Sequence, residues 1–167
     1  TAAKIADAVG LGKILQVQSS IAQSRTTGSG TTYADAGFSD TITCSATSSK
    51  VLVIANFNFG VDNNNQSVTS VSLKQRLLRS NDGFSSDSNQ IYATTSFSNF
   101  PENSGMDFII AGTTAMVTVD SPSSTSELTY KVQVRSNFNS GDLWEVGTDL
   151  GDSEFGARGF TLIEIGA

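Results

Sequence analysis

The sequence predicts an all-β protein with the architecture of an antiparallel β-sandwich. Apolar and polar residues alternate with a period of two along most of the chain, and Gly-, Ser- and Asn-rich turns separate these runs. The clearest run is 127–137, where Tyr130, Val132 and Val134 share one side and charged or amide residues occupy the other. No stretch alternates strands with long helices, which argues against a βαβ sheet. The spacing of the turns indicates about nine or ten strands.

The first half of the sandwich is predicted from an apolar run, a loop and two further strands. Residues 13–21 form the first strand, and the polar, Gly-rich segment 22–38 is a loop with room for a short edge strand near Thr32 and Tyr33. A strand at 40–46 is followed by a Thr-Ser-Ser turn and a strand at 50–60, which we expect to pair with it as a hairpin. The 50–60 run is apolar on both sides before Phe57 and Phe59 alternate with Asn, as in a central strand that ends near a rim.

The second half repeats the same pattern of strands and turns. Polar loops rich in Asn, Ser and Gly separate the strands, and the Asn-Asp-Gly sequence at 81–83 is a strong turn signal. Gly112 is expected to divide one apolar region into two strands. The predicted strands are 70–79, 90–97, 107–111, 115–120, 127–137, 143–146 and 158–165. Lys74 and Arg76 lie on the polar side of the 70–79 strand, and Arg135 lies on that of the 127–137 strand.

The first twelve residues differ from the rest and are predicted to be a connector, with the sandwich domain at 13–167. Ala2, Ile5, Ala6 and Val9 recur at helical spacing and form a short apolar stripe. A helix this short needs a surface to pack against. That surface is either the sandwich itself or the same segment of neighbouring chains, in which case the four residues are oligomerisation residues.

The predicted core follows from the apolar side of each strand. It consists of Val51, Val53, Ile54, Val71, Leu73, Val117, Val119, Tyr130, Val132, Val134, Leu162 and either Ile163 or Ile165.

Composition excludes several classes of function. The chain has no His and a single cysteine, Cys44, which is expected to be a small buried hydrophobe; a cysteine metal cluster and an internal disulfide are therefore excluded, and no metal or cofactor is predicted. The net charge of −6 gives no electrostatic reason to bind nucleic acid. No apolar run approaches the roughly 20 residues needed to span a bilayer, so no membrane insertion is expected.

An acidic cluster near the C-terminus is the one arrangement that resembles a hydrolytic site. Paired carboxylates could cleave glycosides, and oxygen ligands suit calcium, but the loop-like spacing favours a solvated acidic rim. No Gly-x-Ser-x-Gly nucleophile motif occurs and no His could serve one, so no enzymatic activity is expected. The cluster consists of Asp142, Glu145, Asp149, Asp152 and Glu154.

A second group of residues could bind a saccharide. Trp144, Tyr92, Phe138 and Phe100 could stack on a sugar ring, although Trp144 could equally pack in the core or at a subunit interface. Polar loop residues could add hydrogen bonds, although ordinary surface loops have the same composition. The candidate ligand residues are Trp144, Tyr92, Phe138, Asn63, Asn64 and Asp87.

The order of several segments resembles the C-terminal knob domains of fibre proteins from tailed bacteriophages, notably marine and cyanobacterial phages. The resemblance covers nearly everything after Gly12 and depends on an ordered set of segments, none of which is specific alone. These segments are Gly12–Gln18, Ser48–Ile54, Leu77–Arg79, Val119–Pro122, Leu128–Arg135 and Phe160–Ala167.

The resemblance implies a jelly-roll-like sandwich, displayed as a homotrimer on the outside of the virion. It implies a non-enzymatic knob that attaches to the host surface and contacts other virion proteins through the N-terminal segment. The identity of the ligand does not follow from the resemblance, and a carbohydrate on the host surface is our hypothesis for the receptor. The family offers no shared catalytic residues to carry over. Two alternatives stay open: a structural head or neck fibre or capsid-decoration module, and a free carbohydrate-binding module.

Overall fold

Ten strands build two antiparallel sheets in the computed structural model, which describes residues 12–63, 70–99, 108–137, 143–147 and 156–166. No helix occurs among these residues, and the predicted connector at 1–11 lies outside them. The strands are β1 (Ile14–Ala22), β2 (Thr26–Ser29), β3 (Ala34–Thr43), β4 (Lys50–Asn63), β5 (Ser70–Ser80), β6 (Asn89–Asn99), β7 (Phe108–Asp120), β8 (Glu127–Ser136), β9 (Leu143–Val146) and β10 (Arg158–Ile165).

The strand order is that of a jelly roll. Strands β3, β8, β5 and β6 form the four-stranded sheet in that order. In the six-stranded sheet β4 is central: β7 lies on one side, β10 followed by β1 lies on the other, and β9 with β2 continues the β10 side further along β4. Apart from the β5–β6 hairpin, the long strands alternate between the two sheets, as in two interlocked Greek keys, which confirms the predicted all-β, jelly-roll-like sandwich.

The predicted hairpin between the strands before and after residues 47–49 is wrong. Strand β3 pairs with β8, whereas β4 pairs with β10 and β7 in the other sheet. The 44–49 segment therefore crosses from one sheet to the other instead of folding back. The buried carboxylate of Glu164 holds this crossing, because its Oε1 accepts hydrogen bonds of 2.7 Å from the Ser45 backbone N–H and hydroxyl.

Strand boundaries near Gly112 and in the 22–38 region also differ from the prediction. Strand β7 runs without a break from Phe108 to Asp120, because Gly112 pairs with Phe59 and its missing Cβ makes room for that ring. The predicted loop at 22–38 contains β2 and the start of β3. Its early strand residues alternate weakly in polarity, and Gly37, at φ 78°, allows the irregular register between Asp35 and Ser39.

The core lies between the inner faces of the two sheets and contains most of the predicted residues. Val51, Val53, Leu73, Tyr130, Val132, Val134 and Leu162 are buried, and so is Cys44. Ile54, Ile163 and Ile165 are only half-buried because they lie on the outer face of the six-stranded sheet. The side chain of Val71 lies outside the described residues.

The assignment of Val117 and Val119 to the core is wrong. They are 52% and 53% exposed, because they pair with the outward-facing residues Ile54 and Leu52 of β4. The inner face of β7 is instead formed by Thr114, Met116, Thr118 and Asp120.

Candidate functional site

Trp144, the first predicted saccharide-stacking residue, belongs to the core. It is 1% exposed and packs against Gly28 of the neighbouring strand β2, where a Cβ would collide with the indole. The indole therefore offers no face to a ligand. The alternative interpretation, core packing, is confirmed.

The other predicted ligand residues are not brought together in the described part of the chain. Tyr92 is partly buried against the core. Asp87 lies in the 81–88 loop, where its carboxylate accepts hydrogen bonds from the Asn81 backbone N–H and the Asn89 amide. Phe138, Phe100, Asn64 and the side chain of Asn63 lie outside the described residues.

The predicted acidic cluster can be located at one residue only. Glu145 is 3% exposed and forms an ion pair with Arg25, so it is a structural group. Asp142, Asp149, Asp152 and Glu154 lie outside the described residues. Within the described ranges, no group of three or more Cys, Asp or Glu side chains could hold a metal ion, and no helix there is long and apolar enough to cross a membrane.

Two buried charged side chains stabilise the sandwich from within. Arg158 is 2% exposed, and its Nη1 donates to the Ala36 carbonyl at 2.6 Å and to Thr26 Oγ1 at 2.8 Å, which joins β10 to β3 and β2. Burial lowers the pKa of Arg158. Burial alone would raise the pKa of Glu164, but hydrogen bonds from Ser45 and Gln16 bring it down to about 2.

The outer face of the four-stranded sheet carries a group of cations that the sequence did not bring together. Lys74 of β5 lies directly opposite Arg135 of β8, and Arg76 lies one row further along, opposite Gln133. The ring of Tyr33 lies beside them, 4.1 Å from the Arg76 guanidinium carbon and 5.2 Å from that of Arg135. We call Tyr33, Lys74, Arg76 and Arg135 the basic cluster.

The guanidinium of Arg76 is held in place from two sides. Gln133 Oε1 accepts hydrogen bonds from its Nε at 2.9 Å and its Nη2 at 2.5 Å, while the Tyr33 ring lies under its face. Gln133 is itself oriented by Asp35, whose Oδ1 accepts from its Nε2 at 2.6 Å. The cluster is therefore preorganised by its neighbours.

An open groove of about 440 Å³ lies next to the basic cluster, where the end of β1 meets the irregular part of β3. Asp35 connects the two features, because it also forms an ion pair with Lys131 at 3.1 Å. The groove combines hydroxyls, an ion pair and apolar surface. Its lining includes Ser20, Ile21, Asp35, Phe38, Ser39 and Lys131.

The outer face of the six-stranded sheet is apolar instead of polar. One row of residues across four neighbouring strands is entirely aliphatic: Val119, Leu52, Ile163 and Val17. Further aliphatic side chains extend this surface in the adjoining rows. We call the whole set the apolar face; it consists of Ile14, Val17, Leu52, Ile54, Val117, Val119, Ile163 and Ile165.

Sequence reasoning placed Lys74, Arg76 and Arg135 on the polar sides of their strands, and this is confirmed. It missed the cluster because the pairing of β5 with β8 joins residues about sixty positions apart, and no local pattern indicates that pairing. It also missed Tyr33, which it left in a loop.

Comparison with known proteins identifies no family for this chain. No family model matches the chain, and no curated protein does. Similar solved structures include the Eiger TNF from S. frugiperda, at 15% identity and a TM-score of 0.35, over 69% of this chain and 58% of that chain. They also include the VP2 subviral particle of infectious bursal disease virus, at 13% identity and a TM-score of 0.36, over 92% of this chain and 34% of that chain.

A third similar structure is a CocE/NonD family hydrolase from Staphylococcus aureus, at 13% identity and a TM-score of 0.24, over 93% of this chain and 32% of that chain. The chain thus spans from about a third to somewhat over half of these proteins. A viral capsid protein and a TNF are among them, but TM-scores this low carry no argument about function.

Proposed function

We propose that this chain is a non-enzymatic structural protein of a phage virion, the knob domain of a fibre, exposed on the outside of the particle. In this proposal it assembles as a homotrimer, contacts other virion proteins through its N-terminal segment, and attaches to a carbohydrate on the host surface. The ordered segments that resemble phage fibre knobs support the proposal from the sequence. The observation that carries it is the apolar face.

The apolar face is unusual for the solvent side of an antiparallel sheet, which is normally polar. Ile14, Val17, Val117 and Val119 are each more than half exposed. The opposite outer face of the same sandwich, by contrast, carries Lys, Arg, Gln and Asp. An exposed aliphatic surface confined to one face favours a contact with another protein.

The size of the apolar face suits the centre of a protein interface. Its eight aliphatic residues, at about 33 Å² of sheet each, cover roughly 260 Å² in projection, whereas each partner in a stable complex contributes about 800 Å². The remaining area would come from the polar surroundings, where Asn56, Asn58, Thr113 and Thr161 lie in neighbouring rows of the same outer face. An aliphatic centre with a polar rim is the usual anatomy of such interfaces.

Charge favours a second copy of this chain as the occupant. Each copy carries a net charge of −6, so copies repel one another unless they meet through uncharged surface. In the described rows from Lys50 to Asn58, the outer face of this sheet carries no carboxylate, because Asp120 and Glu164 both point inward. Contact through this face would therefore join copies of the chain without bringing acidic groups together.

The N-terminal stripe is next to this face in the sequence. Ala2, Ile5, Ala6 and Val9 end shortly before Ile14, the first residue of β1 and a member of the apolar face. Three copies of the stripe around one axis would extend the same apolar contact.

The proposal that the domain has no catalytic activity depends on the lack of His in the chain and on the structural engagement of Asp120, Glu145 and Glu164.

Light scattering on the full chain tests the assembly. We expect a trimer mass for the wild type and a monomer mass for Val117→Asp/Val119→Asp, since these half-exposed positions tolerate Asp in the folded monomer but not in an aliphatic contact. Thr41→Asp, at an exposed position on the outer face of the other sheet, is the control and should stay trimeric. A monomeric wild type would overturn the assembly.

Immunogold electron microscopy tests the virion position. An antibody raised against the purified domain should label fibre tips on phage particles that carry this chain. Labelling confined to the capsid surface would favour the decoration module, and the absence of label from intact particles would favour the free binding module.

A further inference from the structure

We propose that the basic cluster is a binding site for the acidic groups of an anionic polysaccharide. The inference rests on the proposed function, in which the domain attaches to a host-surface carbohydrate. It adds the charge class of that carbohydrate and the residues that bind it. The site combines the basic cluster, on the outer face of the four-stranded sheet, with the adjoining groove between β1 and β3.

The described residues leave the positive charge of the cluster unbalanced. Lys74 and Arg135 lie directly opposite each other, and like charges in that position are destabilising. Among the described residues, no carboxylate forms an ion pair with Lys74, Arg76 or Arg135, whereas the cations Arg25, Arg79 and Lys131 each have one.

This imbalance occurs in a chain that has 16 acidic residues and only 10 Lys and Arg. An acidic protein has many carboxylates that could neutralise surface cations, yet none of the described ones forms an ion pair with these three cations. An external anion would remove the repulsion between Lys74 and Arg135, and the gain would appear as binding affinity.

The donors of the cluster are arranged for an oxyanion. Gln133 Oε1 uses the Nε and Nη2 of Arg76, and the Arg76 Nη1 has no hydrogen-bond partner among the described residues. Among the described residues, the one hydrogen bond of the Arg135 guanidinium is a long one of 3.5 Å, from Nη1 to the Ser136 carbonyl, beside its contact with Tyr33. Free guanidinium edges bind carboxylate or sulfate with two hydrogen bonds, and the fixed position of Arg76 reduces the entropy lost on binding.

The surroundings favour a saccharide over a nucleic acid. Asp35 is exposed at the side of the cluster, where it would repel a chain that carries one charge per about 1.7 Å. The same carboxylate accepts hydrogen bonds from sugar hydroxyls, as do Ser20 and Ser39 in the groove. A chain of neutral hydroxyls with spaced acidic groups matches this pattern: acids over the cations, and hydroxyls over Asp35 and the serines.

Calorimetric titration of the full chain at low salt tests the proposal. The probes are alginate oligosaccharide, which carries carboxylates, dextran sulfate, which carries sulfates, and neutral dextran of similar length. We expect binding to at least one acidic probe and at least about tenfold weaker binding to neutral dextran, because a charge-assisted hydrogen bond contributes more than a neutral one. The acidic probe that binds identifies whether the group is a carboxylate or a sulfate.

Substitutions assign the binding to the cluster. Arg76→Gln and Arg135→Gln should each weaken binding of the acidic probe about tenfold, with an unchanged β-type circular dichroism spectrum. Lys50→Gln removes an exposed cation from the six-stranded sheet and is the matched control, so it should bind like the wild type. Equal losses in all three variants would indicate a diffuse charge effect and overturn the site.

Other outcomes also decide the matter. Equal binding of neutral dextran would overturn the charge class, and tighter binding of a single-stranded DNA oligonucleotide would overturn the saccharide. A wild-type trimer that binds neither acidic probe would overturn this inference while the assembly proposal stands. A monomeric wild type that binds an acidic probe through Arg76 and Arg135 would overturn the assembly proposal while this inference stands.

Discussion

The phenol of Tyr130 donates a hydrogen bond of 2.8 Å to Oδ2 of Asp120, and this bond joins the two sheets through the core. Arg79 completes the arrangement, because its Nη1 lies 2.9 Å from both carboxylate oxygens. Burial first, and then the charge of Asp120, raise the pKa of Tyr130 well above its usual range. The phenol therefore remains a donor at neutral pH.

We expect Asp120→Ala to lower the free energy of unfolding by about 3–5 kcal/mol, because it leaves the mostly buried Arg79 without its counter-charge. Tyr130→Phe should cost about 1–3 kcal/mol, the range for losing a hydrogen bond to a buried group. Urea unfolding measures both. The control is Asp35→Ala, which breaks an exposed ion pair and should cost about 1 kcal/mol or less; equal losses for both Asp variants would contradict the role of the core pair.

The stability of the domain should depend on Glu164 at acidic pH. Its pKa in the folded protein is about 2, below the 4.5 of an ordinary Glu. A depressed pKa contributes stability that is fully present above about pH 4.5 and is lost as the pH falls towards about 2. We therefore expect Glu164→Gln to be less stable than the wild type at neutral pH and to lose less stability on acidification. Parallel pH profiles of the two proteins in urea unfolding would refute this.

Substitution of Ala at Gly37 and at Gly83 distinguishes two costs of adding a methyl group, backbone strain and steric collision. Both have positive φ, 78° and 67°, so Ala at either position incurs the left-handed penalty of about 1–2 kcal/mol. A Cβ on Gly37 would also collide with Thr26 Oγ1 and approach the buried Arg158 guanidinium, whereas nothing lies within 4 Å of one on Gly83. Gly37→Ala should therefore lower the melting temperature clearly more than Gly83→Ala, and equal shifts would show that the close packing at Gly37 relaxes freely.

Substitution of Ala for Trp144 and for Tyr33 should have opposite effects: the first should lower stability, and the second should weaken saccharide binding. Trp144→Ala empties a core position and should cost about 3–5 kcal/mol of stability, with little effect on the affinity of the folded protein for an acidic saccharide. Tyr33→Ala removes the ring under Arg76 and should weaken binding with a small effect on stability. Unfolding curves and calorimetry on the same two proteins make the comparison. Loss of binding in a folded Trp144→Ala variant would return the indole to the ligand site.

Period-two alternation defined the two sides of each strand well but could not always tell which side faces the core. In β8 the apolar side is the buried side, so Tyr130, Val132 and Val134 were correctly assigned. In β7 the valines face outward, and the buried side includes Asp120, which is buried because Arg79 and Tyr130 satisfy its charge. A partner from the other sheet thus reverses the assignment that hydrophobicity alone suggests.

The candidate site was less predictable than the fold because it depends on strand pairing. The side chains of Arg76 and Arg135 were each expected to face outward, but their proximity follows from the register between β5 and β8. The expected hairpin at 47–49 failed for a related reason. Its turn residues are compatible with a sheet-to-sheet crossing as well as with a hairpin, and the contact that decides, Glu164 with Ser45, is more than a hundred residues distant in sequence.

The position of β10 constrains the order in which the molecule can form during synthesis. This strand is inserted between β1 and β4, and it supplies Arg158 and Glu164 to opposite ends of the sandwich. Until residue 165 has left the ribosome, β1 has no neighbour in its sheet. The backbone edge of β4 at residues 50–57, which pairs with β10 in the folded protein, is also unpaired. We expect such a chain to fold slowly once β10 is available, with a preceding window in which unfinished sheets from neighbouring chains can pair wrongly.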